Sequence, residues 1–110
     1  MSIPLHAVLL LTWLHFIADF VLQTDRMAIN KSSSNRWLAV HVLVYSVCLL
    51  PFGWRFALVN GLLHFATDWV SSRWSRRFWE AGQRHWFFVV IGADQALHTS
   101  ALFLIWTWLR

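Results

Sequence analysis

The chain has 110 residues, of which 58% are hydrophobic, 13% are charged and nine are tryptophan. A domain of this size buries only part of its apolar surface, so this composition excludes an ordinary soluble domain and favours a protein that lies in a bilayer. The net charge of +4 does not indicate nucleic-acid binding, because the basic residues lie in short connectors between apolar runs, as they do in membrane proteins.

Four apolar segments follow one another along the chain, at residues 3–22, 37–52, 56–72 and 86–109. A helix needs about 20 residues to cross the hydrocarbon core, and irregular backbone facing lipid is not viable. We therefore expect each segment to be a helix, and the short second and third segments either to tilt little or to thin the bilayer. The predicted fold class is all-α: an antiparallel four-transmembrane-helix bundle forming one integral membrane domain over residues 1–110.

The distribution of basic residues predicts the direction of these helices. Connectors 23–36 and 73–85 hold seven of the nine Lys and Arg residues, whereas the other side has only Arg55 and Arg110. The positive-inside rule places the two basic connectors in the cytoplasm. Both termini are then expected outside, and the predicted location is the inner (plasma) membrane of a bacterium.

Three of the five acidic residues lie inside predicted spans, where each costs about 2.5–3.5 kcal/mol on the insertion scale. Each of these aspartates is four residues from a histidine, a spacing that puts both side chains on one helix face. The second span carries a histidine and a tyrosine at the same spacing. The four pairs are His15 with Asp19, His41 with Tyr45, His64 with Asp68, and Asp94 with His98.

The order within each His–Asp pair reverses when the predicted helix direction reverses. As a result, all three aspartates lie nearer the cytoplasm and their histidines lie deeper. The predicted layers are about 6 Å apart, four residues at 1.5 Å each. The layer nearer the cytoplasm contains Asp19, His41, Asp68 and Asp94, and the deeper layer contains His15, Tyr45, His64 and His98.

Inward side chains on facing helices are the usual source of metal sites in bundles. His15, His64 and His98 are predicted to bind a divalent metal, Zn²⁺ above all, with a position left open for water. Fe or Mn also suits mixed nitrogen and oxygen ligands. The remaining residues are expected to bind a second metal, to act as base or to orient the imidazoles, with Tyr45 steadying an oxyanion or a water. They are Asp19, His41, Asp68 and Asp94.

Other interpretations of the same residues remain open. The histidines and aspartates are also compatible with a self-satisfied hydrogen-bond network that locks the bundle, with axial haem ligation, or with a proton or ion pathway. A second polar group is expected at the cytoplasmic mouth, where it could meet a headgroup or a soluble substrate. It comprises Gln23, Asp25, Asn30, Lys31, Arg73 and Gln95.

The motifs "HFIADFVLQTDRMAINKS", "HVLVY", "HFATDW" and "DQALH" resemble those of an uncharacterised bacterial and phage family of small integral membrane proteins, known as a domain of unknown function. The resemblance covers nearly the whole chain and implies a compact helical membrane fold, but no activity. In motif style alone, the chain is also similar to membrane-bound metal-dependent hydrolases that carry His and Asp on transmembrane helices.

Together these patterns predict an intramembrane metal-dependent hydrolase that acts on a lipid or lipid-linked substrate from the cytoplasmic side. The alternative is a non-enzymatic ion or proton conduit, or a small structural subunit of a membrane complex. A conduit needs polar residues through the outer half of the bundle, which is mostly Leu, Val, Phe and Trp. The expected partners are membrane lipid and either a second copy of the chain or another membrane protein.

Overall fold

The computed structural model describes residues 2–109, and no strand occurs in that range. The all-α fold class is therefore confirmed. The elements are five α-helices, a π-helical segment that continues the first, and a short 3₁₀ turn. In chain order they are α1 (Leu5–Phe16), the π segment (Ile17–Val21), α2 (Asp25–Asn30), α3 (Asn35–Leu49), the 3₁₀ turn (Leu50–Phe52), α4 (Trp54–Glu80) and α5 (Arg84–Leu109).

The first predicted span is one apolar helix whose last turn is wider than an α-helical turn. The backbone N–H of Leu22 donates to the carbonyl of Ile17 at 2.9 Å, which is the i to i+5 bond of a π-helix. Single π turns inside α-helices often mark functional sites. Asp19 lies in the middle of this turn and is only 3% exposed.

The connector after this span is partly helical, which the sequence pattern did not predict. Thr24 caps α2 by accepting the N–H of Met27, and Ser34 caps α3 by accepting the N–H of Trp37. Such side-chain oxygens satisfy donors that the first helical turn leaves unpaired. The two caps fold residues 23–36 back over the end of the helices that carries the aspartates.

Helix α4 is longer than its predicted span, because it continues through residues 73–80, which we expected to belong to a connector. It ends at Glu80, and Gly82, two residues beyond that end, has φ +74°. The N–H groups of Gly82 and Gln83 donate to the carbonyls of Trp79 and Phe78, the pattern of a Schellman C-cap. Only residues 81–83 separate α4 from α5, so the two helices pack side by side as antiparallel neighbours.

The core is divided by chemistry along the helix axes. An apolar cluster fills the end of the bundle where α1 begins and α5 ends, and it includes Leu11, Leu49, Phe56 and Leu102, all 0–1% exposed. Buried polar residues fill the middle and the opposite end. The apolar cluster closes the bundle on one side, so the polar core opens toward the other.

Two helical stretches, Asn35–Phe52 and Arg84–Leu109, are long and apolar enough to cross a membrane, and Leu5–Val21 is a shorter apolar helix. Helix α4 is long enough to cross a membrane, with 27 residues, but it is not among these apolar stretches. The polar residues Asn60, His64 and Asp68 lie in its middle. Large apolar side chains are widely exposed along the helices, among them Trp13 at 64% and Leu62 at 64%.

Candidate metal centre

Four potential ligand atoms converge between the π segment, α3 and α4. Nε2 of His41 lies 2.8 Å from Oδ1 of Asp19 and 3.1 Å from Nε2 of His64. Oδ2 of Asp68 lies 3.4 Å from the His41 nitrogen and 3.3 Å from the His64 nitrogen. All four residues are at most 3% exposed. We call Asp19, His41, His64 and Asp68 the ligand tetrad.

The spacing of the tetrad matches a tetrahedral metal site. Zn²⁺ binds nitrogen and carboxylate oxygen at roughly 2.0–2.2 Å, so neighbouring ligand atoms around it are roughly 3.3–3.6 Å apart. Five of the six separations are 2.8–3.4 Å, which is near those edges, and all four atoms lie within 4.8 Å of one another.

The tetrad also has polar atoms that the protein does not satisfy. Oδ1 of Asp19 is buried and lies 2.8 Å from Nε2 of His41, which is ion-pair distance. Within residues 2–109, Nδ1 of both His41 and His64 has no hydrogen-bond partner. A buried group left unpaired costs about 1–3 kcal/mol. A cation between the four atoms would bind the Asp19 oxygen and both Nε2 atoms.

Ring stacking holds His64 in place. Its imidazole stacks on His98 with ring centroids 3.8 Å apart and an interplanar angle of 13°, and the Tyr45 ring packs on it at 4.0 Å. Ligand histidines are usually oriented by a hydrogen bond from their second nitrogen. Here neighbouring rings from α3 and α5 fix the ring plane instead.

A second group of possible ligands adjoins the tetrad. Asp19, Asp94 and His98 each offer an atom within 4.8 Å of the others. Nε2 of His98 lies 3.1 Å from Oδ1 of Asp94 and 3.0 Å from Oδ1 of Asp68. The carboxylate of Asp68 therefore faces His41 and His64 with one oxygen and His98 with the other, and it links the two groups.

His15 lies outside both groups, although we expected it to bind the metal. Its Nε2 lies 2.7 Å from Oε1 of Gln95, whose amide nitrogen donates to Asp19 and Asp94. Ionised carboxylates only accept, so the amide orientation is fixed, and Nε2 of His15 must carry the proton. Nδ1 of His15 then accepts from the hydroxyl of Tyr45 at 3.2 Å.

This chain of hydrogen bonds gives partners to two of the expected site residues. The Tyr45 hydroxyl, expected to steady an oxyanion or a water, donates to His15. His15 contacts Gln95 at 2.7 Å and lies 3.7 Å from Oδ2 of Asp19. The remaining expected ligands are His41, His64, His98, Asp19, Asp68 and Asp94, and the structure brings all six together.

Residues 5–110 match the family model described as a protein of unknown function, DUF3307. The chain belongs to this family. No curated protein and no solved structure matches it. The resemblance to an uncharacterised family is therefore confirmed, and the chemistry of this DUF3307 domain has to be argued from its own residues.

Lys31 lies closer to the ligand tetrad than its position in a connector suggested. Its ammonium group donates to Oδ2 of Asp68 at 3.1 Å, and its side chain is 18% exposed. Arg73, predicted for the same mouth, instead donates to Asn35 and to the carbonyl of Trp69. Three buried carboxylates and one ammonium leave two negative charges when the histidines are neutral, which one divalent ion would balance.

A cleft of about 750 Å³ opens beside both ligand groups. Asp19, Asp68 and Asp94 line it, and so do Gln23 and Lys31. Sequence reasoning missed the serines of α4 that line it. Ser71, Ser72 and Ser75 follow Asp68 by three, four and seven residues, a helical spacing that puts them on the Asp68 face.

Proposed function

We propose that this protein is a membrane-embedded, metal-dependent hydrolase whose ligand tetrad holds a divalent cation. The observation that carries the proposal is the convergence of four buried ligand atoms from three helical segments at tetrahedral spacing. The burial of Asp19, Asp68 and Asp94 supports the same conclusion, because buried carboxylates are costly unless they are paired or coordinate a metal.

Zn²⁺ is the first choice of ion. Two imidazole nitrogens and two carboxylate oxygens are ligands that Zn²⁺ accepts in tetrahedral geometry. The same donors suit Fe and Mn, and those ions take higher coordination numbers when water is added. Because Cys48 is the only cysteine and lies in α3 away from the tetrad, no thiolate contributes to the choice.

The proposed location is the inner membrane of a bacterium, with all four long helices spanning it. The two apolar helices of spanning length and the widely exposed apolar side chains support this location. The basic connectors would then lie in the cytoplasm and both termini outside. Two basic residues were expected on the outer side. Arg55 lies in the first turn of α4, and Arg110 lies outside the described residues.

The reaction proposed is hydrolysis of an ester or phosphoester bond in a lipid or a lipid-linked molecule. The tetrad would hold the divalent ion, which would supply an acidified water as a nucleophile at neutral pH. Asp68 would be the ligand that gives way to this water, because its two oxygens face different groups. Asp94, which lines the cleft, is placed to accept the proton of the water. The water oxygen would bond to the acyl carbon or the phosphorus, the bond from that atom to the leaving oxygen would break, and Asp94 would return the proton to the leaving alcohol.

The non-enzymatic alternatives have less support from the arrangement. A conduit would need a polar path through the whole bundle, but beyond Tyr45 the core is the apolar cluster of Leu11, Leu49, Phe56 and Leu102. A self-satisfied structural network would need a partner for each buried polar atom, and Nδ1 of His41 and Nδ1 of His64 have none within residues 2–109. Both observations favour a site that is open on one side.

The proposal is tested by assaying zinc-loaded protein in maltoside micelles against lipid acyl esters and lipid phosphoesters. We expect release of fatty acid or of water-soluble phosphate, its loss on chelation, and its recovery when the metal is restored. Asp94→Asn should lower the rate at least 100-fold (general acid–base catalysis typically contributes 10²–10⁴-fold). Asp25→Asn is the matched control, because Asp25 is exposed and, although expected at the mouth, is not among the residues that line the cleft. Hydrolysis that survives chelation, or no hydrolysis of any lipid by metal-loaded protein, would refute the enzymatic proposal.

A further inference from the structure

The cleft beside the ligand groups has two chemically different parts. Its inner part is polar and is built from the carboxylates, Lys31 and the serines of α4. Its outer part includes the apolar side chains of Phe20, Ile29 and Trp79, which are 47%, 71% and 49% exposed. A ligand that fills both parts must therefore be an amphiphile, with a polar group at the carboxylate end and an apolar group at the mouth.

Ser72 shows what kind of polar group the cleft requires. Its residue is 8% exposed, it lines the cleft, and its hydroxyl has no hydrogen-bond partner within residues 2–109. The neighbouring serines are satisfied, because Ser71 donates to Asp94 and Ser75 donates to the carbonyl of Ser72. A helical serine usually bonds to the carbonyl four residues earlier. The Ser72 hydroxyl is instead available to a ligand oxygen.

Gln23 supplies a second unsatisfied atom in the same cleft. Its Oε1 is buried and accepts no hydrogen bond from the described part of the chain. An amide oxygen only accepts, so the complementary ligand atom is an O–H or N–H donor, and a hydroxyl is the donor that brings no positive charge. The polar group thus combines oxygen acceptors for Ser72 with a hydroxyl donor for Gln23.

The charges around the cleft select among acceptor-rich groups. Lys31 lies between the cleft and Asp68, and Arg76, which also lines the cleft, is paired with Glu80 at 2.9 Å. With a divalent ion in the tetrad and neutral histidines, the three carboxylates and Lys31 are neutral as a set. An anionic group then meets no net negative charge, and the Lys31 ammonium is the charged donor that faces it. Phosphate, which offers several acceptor oxygens and negative charge, matches both Lys31 and Ser72.

We infer that the cleft binds the phosphate and the adjoining hydroxyl group of an amphiphile, with Lys31 and Ser72 on the phosphate and Gln23 on the hydroxyl. This inference rests on the proposed function, since the amphiphile would be the substrate of that site. It names the substrate class as a phosphate-bearing lipid whose headgroup carries a free hydroxyl.

The test is titration calorimetry of zinc-loaded protein in maltoside micelles, which contain no phosphate. The probes are dihexanoyl phosphatidylglycerol, dihexanoylglycerol with the same chains, and inorganic phosphate. We expect phosphatidylglycerol to bind at least ten-fold more tightly than either of the others. Lys31→Met should weaken it about ten-fold, Ser72→Ala about three- to ten-fold, and Lys31→Arg should retain most of the affinity.

Arg55→Met and Ser100→Ala are matched controls on other parts of the molecule and should change nothing. Equal binding of dihexanoylglycerol would overturn the phosphate assignment, and equally tight inorganic phosphate would overturn the amphiphile assignment. Metal content measured on the same samples separates the two proposals. Loaded protein without phosphate selectivity refutes only this inference, and selective binding by protein that holds no metal supports it while refuting the metal site.

Discussion

The side-chain nitrogen of Gln95 lies 3.0 Å from Oδ2 of Asp19 and 3.1 Å from Oδ2 of Asp94. One neutral amide therefore holds two buried carboxylates that belong to different helical segments. Its carbonyl oxygen is in turn fixed by His15, and His15 by Tyr45. This chain of hydrogen bonds explains how like charges are kept close together inside the bundle.

Replacing Gln95 should therefore destabilise the metal-free protein. Gln95→Leu keeps the approximate size of the side chain but removes the donor from both carboxylates, and we expect a loss of about 1–3 kcal/mol in the free energy of unfolding. The loss should be smaller in metal-loaded protein, because the ion compensates part of the carboxylate charge. Thermal or denaturant unfolding in detergent measures both values.

The matched control for this change is Gln83→Leu, in the exposed turn between α4 and α5. We expect it to alter stability by less than about 0.5 kcal/mol. Equal effects of the two substitutions would contradict the role assigned to Gln95.

Lys31 should compete with the metal. Its ammonium lies 3.1 Å from Oδ2 of Asp68, an oxygen that we assign to the tetrad, and two cations within a few ångströms repel each other. Lys31→Met is expected to raise the affinity for Zn²⁺ about ten-fold, measured by competition with a chromophoric chelator. Arg55→Met, at the other end of the bundle, should leave the affinity unchanged.

The same Lys31→Met change is expected to weaken phosphate binding while it strengthens metal binding. A variant that loses both would indicate that Lys31 supports the fold of the connector, and would count against its assigned position between the ion and the ligand.

Two glycines should respond to alanine in opposite directions. Gly82 closes α4 with φ +74°, a conformation that alanine adopts at a cost of about 1–2 kcal/mol. Gly92 lies within α5, and a Cβ added there meets no atom of the described chain within 4 Å. Gly92→Ala should stabilise the helix by about 0.5–1 kcal/mol. Unfolding in detergent tests both, and destabilisation by Gly92→Ala would contradict this description of α5.

The sequence predicted the helical fold and the residues of the polar core because both depend on local periodicity. An i, i+4 spacing of His and Asp places both side chains on one face of any α-helix. In the structure the three pairs lie 3.1–3.7 Å apart, with His15 to Asp19 the longest. Boundaries were less predictable, as α4 shows: nothing in residues 73–80 breaks a helix, and it ends only at Glu80, two residues before Gly82.

The partners within the core depend on tertiary packing, which periodicity does not describe. The π turn at Asp19 and the approach of Gln95 from α5 redirect the first pair, so His15 contacts Tyr45 and Gln95 and does not join a ligand group. His41, on the only long helix without an aspartate, takes its carboxylate neighbours from other segments. Lys31 contacts Asp68 because the connector that contains α2 folds back over the helices. The position of Lys31 in the chain does not predict that contact.

The most direct measurement is elemental analysis of the wild-type protein, purified in detergent without an affinity histidine tag and incubated with Zn²⁺, Fe²⁺ or Mn²⁺. The comparison is between His41→Ala/His64→Ala, which removes two tetrad ligands, and His6→Ala/His85→Ala, which removes two exposed histidines. We predict about one tightly held divalent ion per chain in the wild type and in the His6/His85 variant, and none in the His41/His64 variant that still folds. No retained metal in the wild type, or equal retention in both double variants, would contradict the metal centre.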